Sequence, residues 1–221
     1  MRVALYWAPE RDDPLHARAS AWLGRDAETG AALAQPEIPG IVEATADPRL
    51  YGFHATLKAP FRIATGWDQA VAAAEALAAE TAPFALPPLV VRNLRGFLAL
   101  VESEPCPALD AFAAACVRAL EPHRAALTDA EIARRRPERL SERQRANLDR
   151  WGYHLVFEDF QFHGTLTGRL PDETRAVIEP AVTDFLGDLP ARARQVRELC
   201  LFTQAASGAP FLIAQRLPLR G

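Results

Sequence analysis

Two short stretches of this sequence contain the same residues suited to proton transfer. Residues 53–57 (FHATL) and 162–166 (FHGTL) share the pattern Phe-His-x-Thr-Leu, in a chain that has only five histidines. Imidazole gains and loses a proton near neutral pH, and a threonine hydroxyl donates hydrogen bonds to anionic oxygens. A pattern of four identical residues in five, present twice, is hard to explain by chance, and it indicates one site built from both copies.

The chemistry that two imidazoles can perform across a cleft is general acid–base catalysis, because histidine has an unperturbed pKa of about 6.5. One of His54 and His163 can take a proton from an attacking water or hydroxyl while the other gives a proton to the leaving oxygen. Thr56 and Thr165 can donate hydrogen bonds to the non-bridging oxygens of an anion held between them. A phosphodiester, particularly a cyclic one, fits this arrangement.

The elements that must position these residues are two β-strands, because apolar and β-branched residues flank both motifs. Alternate side chains of a strand point to opposite faces. The His and Thr of each motif therefore share one face, and the apolar residues share the other. By the same alternation Lys58 continues the face of His54 and Thr56, while Gln161 and Thr167 hold the corresponding positions around the second motif.

A few other side chains are candidates for binding the substrate. The Lys58 ammonium can bind a phosphate, and Thr167 is its counterpart in the second motif. Three more can line the cleft: Tyr6 on the first predicted strand, Arg95 at a predicted hairpin turn, and Tyr153. Each has an ordinary structural or solvated alternative. The remaining histidines are expected to be surface or helix residues, and they are His16, His123 and His154.

The predicted elements after each motif follow the same order of strand, helix, strand, strand. After the first motif strand (52–63) they are 67–82, 85–93 and 96–102, and after the second they are 171–186, 194–203 and 210–216. This repeat predicts two lobes related by a pseudo-twofold axis. We expect a single bilobal domain over 1–221, with an N-terminal strand and helix in 1–50, a first lobe at about 50–122, an insertion at about 123–150 and a second lobe at about 151–221.

Helix starts are also marked in the sequence. Asp13 followed by Pro14 predicts a capped helix in the N-terminal region. In the insertion, Thr128 with Glu131 and Ser141 with Gln144 are capping-box signatures of two short helices. The arginines of this insertion alternate with acidic residues, which favours a solvated charged surface over a phosphate-binding patch.

Composition limits the class of protein. The net charge is −3, so the chain as a whole has no attraction for nucleic acid or anionic membrane, and any anion binding must be local. Cys106, Cys116 and Cys200 form no CxxC pair and are predicted to be reduced core residues. No stretch approaches the ~20 apolar residues of a membrane helix, and no signal peptide is recognisable. We expect a soluble, cytoplasmic protein that does not bind membranes.

Motifs for rival chemistries are missing. The sequence has no Gly-rich phosphate loop ending in Lys-Ser/Thr, no dinucleotide-binding glycine pattern, no HExxH and no Gly-x-Ser-x-Gly elbow. The two motifs contain no carboxylate, so a metal ion would need ligands from elsewhere. The sequence therefore predicts neither a metal nor another cofactor.

Taken together, the paired motifs resemble those of the two-histidine (2H) phosphoesterase superfamily. The longer strings 51–61 (YGFHATLKAPF) and 160–168 (FQFHGTLTG) are similar to the branch found in bacterial phosphonate-utilisation operons, as are 3–9 (VALYWAP) and 150–153 (RWGY). The resemblance covers essentially the whole chain. It implies an α+β fold in which two antiparallel sheets flank a central cleft, with helices outside.

The resemblance also implies an activity. The expected function is a metal-independent phosphodiesterase that acts on a small cyclic phosphate or related phosphodiester, in phosphonate utilisation, with His54, Thr56, His163 and Thr165 as catalytic residues. An RNA end is an alternative substrate. Two other functions stay open: a ligase or cyclising transesterase that uses the same histidines in the opposite direction, and a nucleotide- or phosphosugar-binding module without turnover. The organic part of the substrate depends on residues 25–50 and 123–150, and oligomeric state is not predicted.

Overall fold

The largest feature of the fold is a seven-stranded antiparallel sheet, in a computed structural model that describes all 221 residues. In chain order the strands are β1 (Arg2–Trp7), β2 (Ala55–Arg62), β3 (Phe84–Leu86), β4 (Leu89–Leu94), β5 (Phe97–Glu102), β6 (Gly164–Thr165), β7 (Arg194–Val196), β8 (Glu198–Gln204) and β9 (Leu212–Pro218). The large sheet has the order β4-β5-β6-β2-β1-β8-β9, and β3 pairs with β7 in a separate two-stranded sheet.

Eight helices accompany the sheets. They are α1 (Pro14–Leu23), α2 (Ile41–Ala44), α3 (Ala46–Arg49), α4 (Trp67–Glu80), α5 (Pro107–Leu120), α6 (Asp129–Arg134), α7 (Glu142–Trp151) and α8 (Asp172–Leu186). Short 3-10 turns lie at Glu121–His123, Pro137–Arg139, Phe157–Asp159 and Leu189–Ala191. No helix has both the length and the apolar composition needed to cross a membrane.

The predicted helix starts are found. The Leu15 amide donates to the Asp13 carboxylate at 2.9 Å, and Pro14 occupies the first turn of α1. Both predicted capping boxes are formed, at the starts of α6 and α7. These contacts satisfy amides that the first turn of a helix leaves without intrahelical partners.

The core lies between the large sheet and its helices. Alternation along β1 sends Val3, Leu5 and Trp7 into the main hydrophobic cluster, which also contains the apolar faces of α1, α4, α5 and α8. Tyr6 belongs to a smaller cluster with Phe202 on the opposite face of the same strands. The two faces of the sheet therefore differ: one is covered by the main core, and the other carries Tyr6.

The arrangement of sheets differs from the expected pair of sheets flanking a cleft. The α+β class is confirmed, but the strands of both motifs lie side by side in one sheet, where Ala55 of β2 pairs with Gly164 of β6. The glycine makes this contact possible. A Cβ atom at Gly164 would lie 2.7 Å from the Phe53 ring, so only a residue without a side chain lets the strands approach this closely.

Candidate functional site

A cavity of about 380 Å³ opens on the face of the sheet that carries Tyr6. His54 and Thr56 line it from β2, and Thr165 lines it from β6. Tyr153 also lines it. This volume lies in the range of small-molecule sites, which is roughly 300–1,000 Å³.

The pairing of β2 with β6 brings the two motifs together. Because Ala55 lies opposite Gly164 in an antiparallel pair, the adjacent positions place His54 opposite Thr165 and Thr56 opposite His163. Directly opposite residues share a face and have Cβ atoms about 4.5–5.5 Å apart. Each imidazole therefore has the hydroxyl of the other motif as its cross-strand neighbour.

The two histidines are oriented in the same way. Nδ1 of His54 lies 2.8 Å from the carbonyl oxygen of Gly52, and Nδ1 of His163 lies 2.8 Å from that of Gln161. A carbonyl oxygen only accepts, so Nδ1 carries the proton and donates in both cases. In the neutral ring Nε2 then carries the lone pair and can accept a proton. Nε2 of His54 lies 3.5 Å from the Thr56 hydroxyl.

Aromatic rings enclose the His54 imidazole. The Tyr6 ring stacks on it with centroids 3.9 Å apart, and the rings of Tyr51 and Phe202 lie 5.8 Å away. Burial lowers the pKa of His54 to about 4, and the nearby charge of His163 acts in the same direction. His54 is therefore a neutral imidazole at pH 7.

His163 has a different environment from His54. It is half-buried, and its ring meets the Phe97 ring edge-on at 5.8 Å. Phe97 and Thr165 line the cavity, whereas His163 itself is not among the lining residues. Its position opposite Thr56, and the effect of its charge on His54, place it at the same junction of strands.

Lys58 does not lie on the face predicted for it. Its ammonium is buried, and it donates to the Val117 carbonyl and to the Glu121 carboxylate, each at 3.0 Å. The cause is a bulge in β2: Tyr6 pairs with Thr56, but Leu5 pairs with Lys58, so one extra residue separates them. A bulge reverses the alternation, and Lys58 turns toward the core instead of the cavity.

Arg95 is also outside the cavity. It is exposed in the β4–β5 turn with φ 56°, and its carbonyl accepts a hydrogen bond of 2.6 Å from the Arg169 guanidinium. Arg169 lines the cavity in its place. Thr167 lines the cavity as well, but its hydroxyl is occupied, accepting from the Leu98 amide at 3.0 Å and donating to the Gly168 carbonyl at 2.8 Å.

Several lining residues were not predicted. Arg2 shares the Tyr6 face of β1, so alternation along that strand would have found it. Arg169 lies beyond the end of β6, where alternation does not apply. Arg135 lines the cavity from just after α6, although the mixed charges of the insertion predicted a solvated surface. Residues 25–50 contribute Asp47 to the cavity wall.

Metal-binding groups are not gathered at this site. Nowhere in the chain do three or more His, Cys, Asp or Glu residues cluster so that they could hold a metal ion. The only carboxylate that lines the cavity is Asp47, beside three arginines, which are Arg2, Arg135 and Arg169. The walls therefore favour an anionic ligand.

Comparison with known proteins gives a family. Residues 56–212 match the family described as protein of unknown function (DUF1045). The chain belongs to the DUF1045 family. The matched segment contains Thr56, His163 and Thr165, and it begins two residues after His54.

Two longer proteins are similar to this member of the DUF1045 family. "Ribose 1,5-bisphosphate phosphokinase PhnN" of Janthinobacterium sp. (strain Marseille) is 38% identical over 231 residues, covering 100% of this chain and 51% of that protein. A protein of the same name from Laribacter hongkongensis (strain HLHK9) is 34% identical over 222 residues, covering 97% of this chain and 51% of the relative. The chain spans about half the length of the curated relatives it matches.

Proposed function

We propose that this chain is a metal-independent phosphodiesterase that opens a small cyclic phosphate by two-histidine acid–base catalysis. The observation that carries the proposal is the β2–β6 register, which sets His54 opposite Thr165 and Thr56 opposite His163 beside one cavity. Imidazoles and hydroxyls arranged in this way can serve the attacking oxygen, the leaving oxygen and the non-bridging oxygens together.

The two histidines have separate roles in this proposal. His54 is the base, because it is neutral at pH 7 and its proton is on Nδ1, which leaves the lone pair on Nε2. It takes a proton from water as the water oxygen attacks phosphorus. The ring P–O bond breaks, and His163 gives a proton to the departing alkoxide, so a phosphomonoester is formed. Thr56 and Thr165 donate to the non-bridging oxygens.

The low pKa of His54 suits this role once substrate is bound. The singly charged phosphodiester next to the imidazole favours the protonated ring, which raises the pKa of His54 from about 4 toward the working pH. Proton transfer is then driven by the charge that develops on the phosphoryl oxygens. The backbone carbonyl of Gly52 fixes the ring in one tautomer throughout.

The order of elements supports a duplicated, pseudo-twofold fold of the 2H type. The same order of six elements occurs twice: a strand, a helix, the motif strand, a second helix and two further strands. The first copy is β1-α1-β2-α4-β3-β4, and the second is β5-α5-β6-α8-β7-β8. The sheet order β4-β5-β6-β2-β1-β8 is symmetric about the β6–β2 junction, and β3 pairs with its counterpart β7. On this interpretation each repeat starts one strand and one helix before its motif, and β9 lies outside the duplication.

The size of the cavity and the names of the relatives support a phosphorylated sugar as substrate. A volume of about 380 Å³ suits a small molecule better than an RNA strand. The relatives are named for action on ribose 1,5-bisphosphate, which a cyclic phosphodiester of ribose 5-phosphate yields when its ring opens at the right oxygen. We assign their phosphokinase activity to the half that this chain does not match, because no Gly-rich phosphate loop occurs here.

Resemblance to the branch from phosphonate-utilisation operons supports a role for this reaction in that metabolism. The strings that carry the resemblance include both motif strands, 51–61 and 160–168. Hydrolysis is proposed over ligation because nothing in the sequence is suited to nucleotide activation.

The test is a turnover assay in excess chelator. Ribose 5-phosphate 1,2-cyclic phosphate and nucleoside 2′,3′-cyclic phosphates are incubated with the protein, and ³¹P NMR follows opening of the ring. The proposal expects a phosphomonoester product that persists in chelator and disappears in His163→Ala. Tight binding of these compounds without turnover would favour a binding module, and transfer of phosphate from ATP to ribose 1,5-bisphosphate would favour a kinase.

A further inference from the structure

All three tyrosines of the chain line the same cavity, beside Arg2 and Arg135, which are two of its three arginines. Tyr6, Tyr51 and Tyr153 are the only tyrosines in 221 residues, and each lines the cavity together with Arg2 and Arg135. Phenolic hydroxyls and guanidinium groups are all hydrogen-bond donors. One phosphodiester would use the donors of the two His-Thr pairs, so these further donors remain available to a second group on the same ligand.

Both arginines lack a carboxylate partner. The ion pairs of the protein all involve other residues. Arg135 lies over the Tyr153 ring, 4.8 Å from its centroid. Arg2 lies 5.5 Å from the centroid of the Phe211 ring, and its Nε donates to the Gln204 side chain at 2.7 Å. Their terminal nitrogens are thus held in place by rings without being neutralised.

Arg2 and His54 lie toward opposite ends of the β1–β2 pair, because Arg2 pairs with Arg62 and Trp7 pairs with Ala55, the residue after His54. Arg2 lies four residues before Tyr6 on β1, about 13 Å along the strand. The charge of Arg2 lowers the pKa of the Tyr6 hydroxyl and that of Arg135 lowers the pKa of Tyr153, against the larger opposite effect of burial. Arg135 therefore lies at the Tyr153 ring, and Arg2 lines the same cavity from the start of β1.

We propose that Arg2 and Arg135, with the hydroxyls of Tyr51 and Tyr153, form a second anion subsite that binds a phosphomonoester of the substrate, remote from the ring that is opened. The inference rests on the proposed function, since it names a second group on the same substrate. Arginine pairs with phosphate oxygens through two parallel hydrogen bonds, which gives both affinity and orientation. Binding at this subsite would hold the cyclic phosphate at the His-Thr pairs.

Equilibrium binding tests the subsite without requiring turnover. Ribose 5-phosphate and ribose are titrated calorimetrically into wild-type protein, Arg135→Gln and a matched control, Arg139→Gln. Arg139 is exposed on the same segment and does not line the cavity. We expect Arg135→Gln to weaken ribose 5-phosphate binding by about 10- to 100-fold, the range for losing hydrogen bonds to a charged group. Arg139→Gln should bind as the wild type does.

Equal binding of ribose 5-phosphate by Arg135→Gln and Arg139→Gln would overturn the subsite, as would equal affinity of the wild type for ribose and ribose 5-phosphate. Thermal melts identify any variant that has lost its fold, and Arg2→Gln then provides a second test of the same subsite.

A matched substrate pair separates the two proposals. Adenosine 2′,3′-cyclic phosphate is compared with its 5′-phosphorylated form, and the subsite predicts a higher kcat/KM for the latter that Arg135→Gln erases.

The outcomes are distinguishable. Selective binding of ribose 5-phosphate with no opening of any cyclic phosphate would retain the subsite and reject the phosphodiesterase. Opening of both cyclic phosphates with equal kcat/KM would retain the phosphodiesterase and reject the subsite.

Discussion

Replacement of Gly164 by alanine tests whether the β2–β6 junction assembles the site. Gly164 separates His163 from Thr165 and pairs with Ala55 of the other motif strand. An added methyl would lie 2.7 Å and 2.9 Å from two carbons of the Phe53 ring, closer than real Cβ atoms approach. The backbone at Gly164 does not have positive φ, so alanine brings a steric change without backbone strain.

The expected size of the effect follows from this contact. Phe53 is only 3% exposed, so its ring is enclosed and cannot simply swing into solvent. Overpacking of a filled core costs about 1–3 kcal/mol in the free energy of unfolding. Relief of the clash by movement of β6 away from β2 would shift one His-Thr pair relative to the other, and a displacement of about 1 Å can lower catalysis by about 100-fold.

The assay combines denaturant unfolding with turnover of the cyclic phosphate. Gly66→Ala is the control, because an added methyl there meets nothing within 4 Å. We expect Gly164→Ala to lose both stability and activity, and Phe53→Leu to reduce that loss when the two are combined, since the residues are in contact. A Gly164→Ala variant with wild-type stability and turnover would refute the claim that the junction positions the site.

Further predictions concern the histidines and the buried lysine. His54→Ala and His163→Ala should each remain folded and lower turnover by about 10²–10⁴-fold. The loss of turnover in the double variant should be smaller than the product of the two single losses. Normal turnover with a sharply lowered melting temperature in either variant would make that histidine structural. Because the pKa of His54 is lowered to about 4 in the folded state, the unfolded chain binds the extra proton first, so wild-type stability should fall as the pH drops from about 6.5 to about 4. His54→Gln should lose less stability over that range in denaturant titrations at pH 7 and pH 4.5, and equal losses would contradict the lowered pKa. Lys58→Met should lower the free energy of unfolding by about 1.5–3 kcal/mol, because it removes a buried hydrogen bond to Glu121, and it should leave ribose 5-phosphate binding unchanged; weaker binding would return Lys58 to the site.

Local patterns in the sequence predicted the parts of the fold that depend on near neighbours. Asp13 and both capping boxes mark helix starts correctly, because each cap is made within three residues. The hairpin of β4 and β5 is also found. The strand predicted over 85–93 is divided, because Pro87 and Pro88 cannot donate ladder hydrogen bonds, and β3 pairs with β7 instead.

The sequence did not predict the features that depend on contacts between residues distant in the chain. Residue alternation placed His54 and Thr56 on one face, but it extended that face to Lys58, because a bulge in β2 depends on its register with β1. The union of both motifs in one sheet depends on contact between Ala55 and Gly164, which lie far apart in the chain. Charge composition of the insertion did not distinguish Arg135 from its solvated neighbours, since only the folded path of the chain brings it to Tyr153.

The most direct test of the two-histidine site is a crystal structure with bound phosphate or vanadate. Nδ1 of each ring donates to a backbone carbonyl, so Nε2 of each neutral ring carries the lone pair that can meet a ligand. We expect an anion in the cavity within about 2.6–3.2 Å of Nε2 of both His54 and His163, with the hydroxyls of Thr56 and Thr165 also in contact. An anion bound elsewhere, or one touched by a single imidazole while the other faces away, would contradict it.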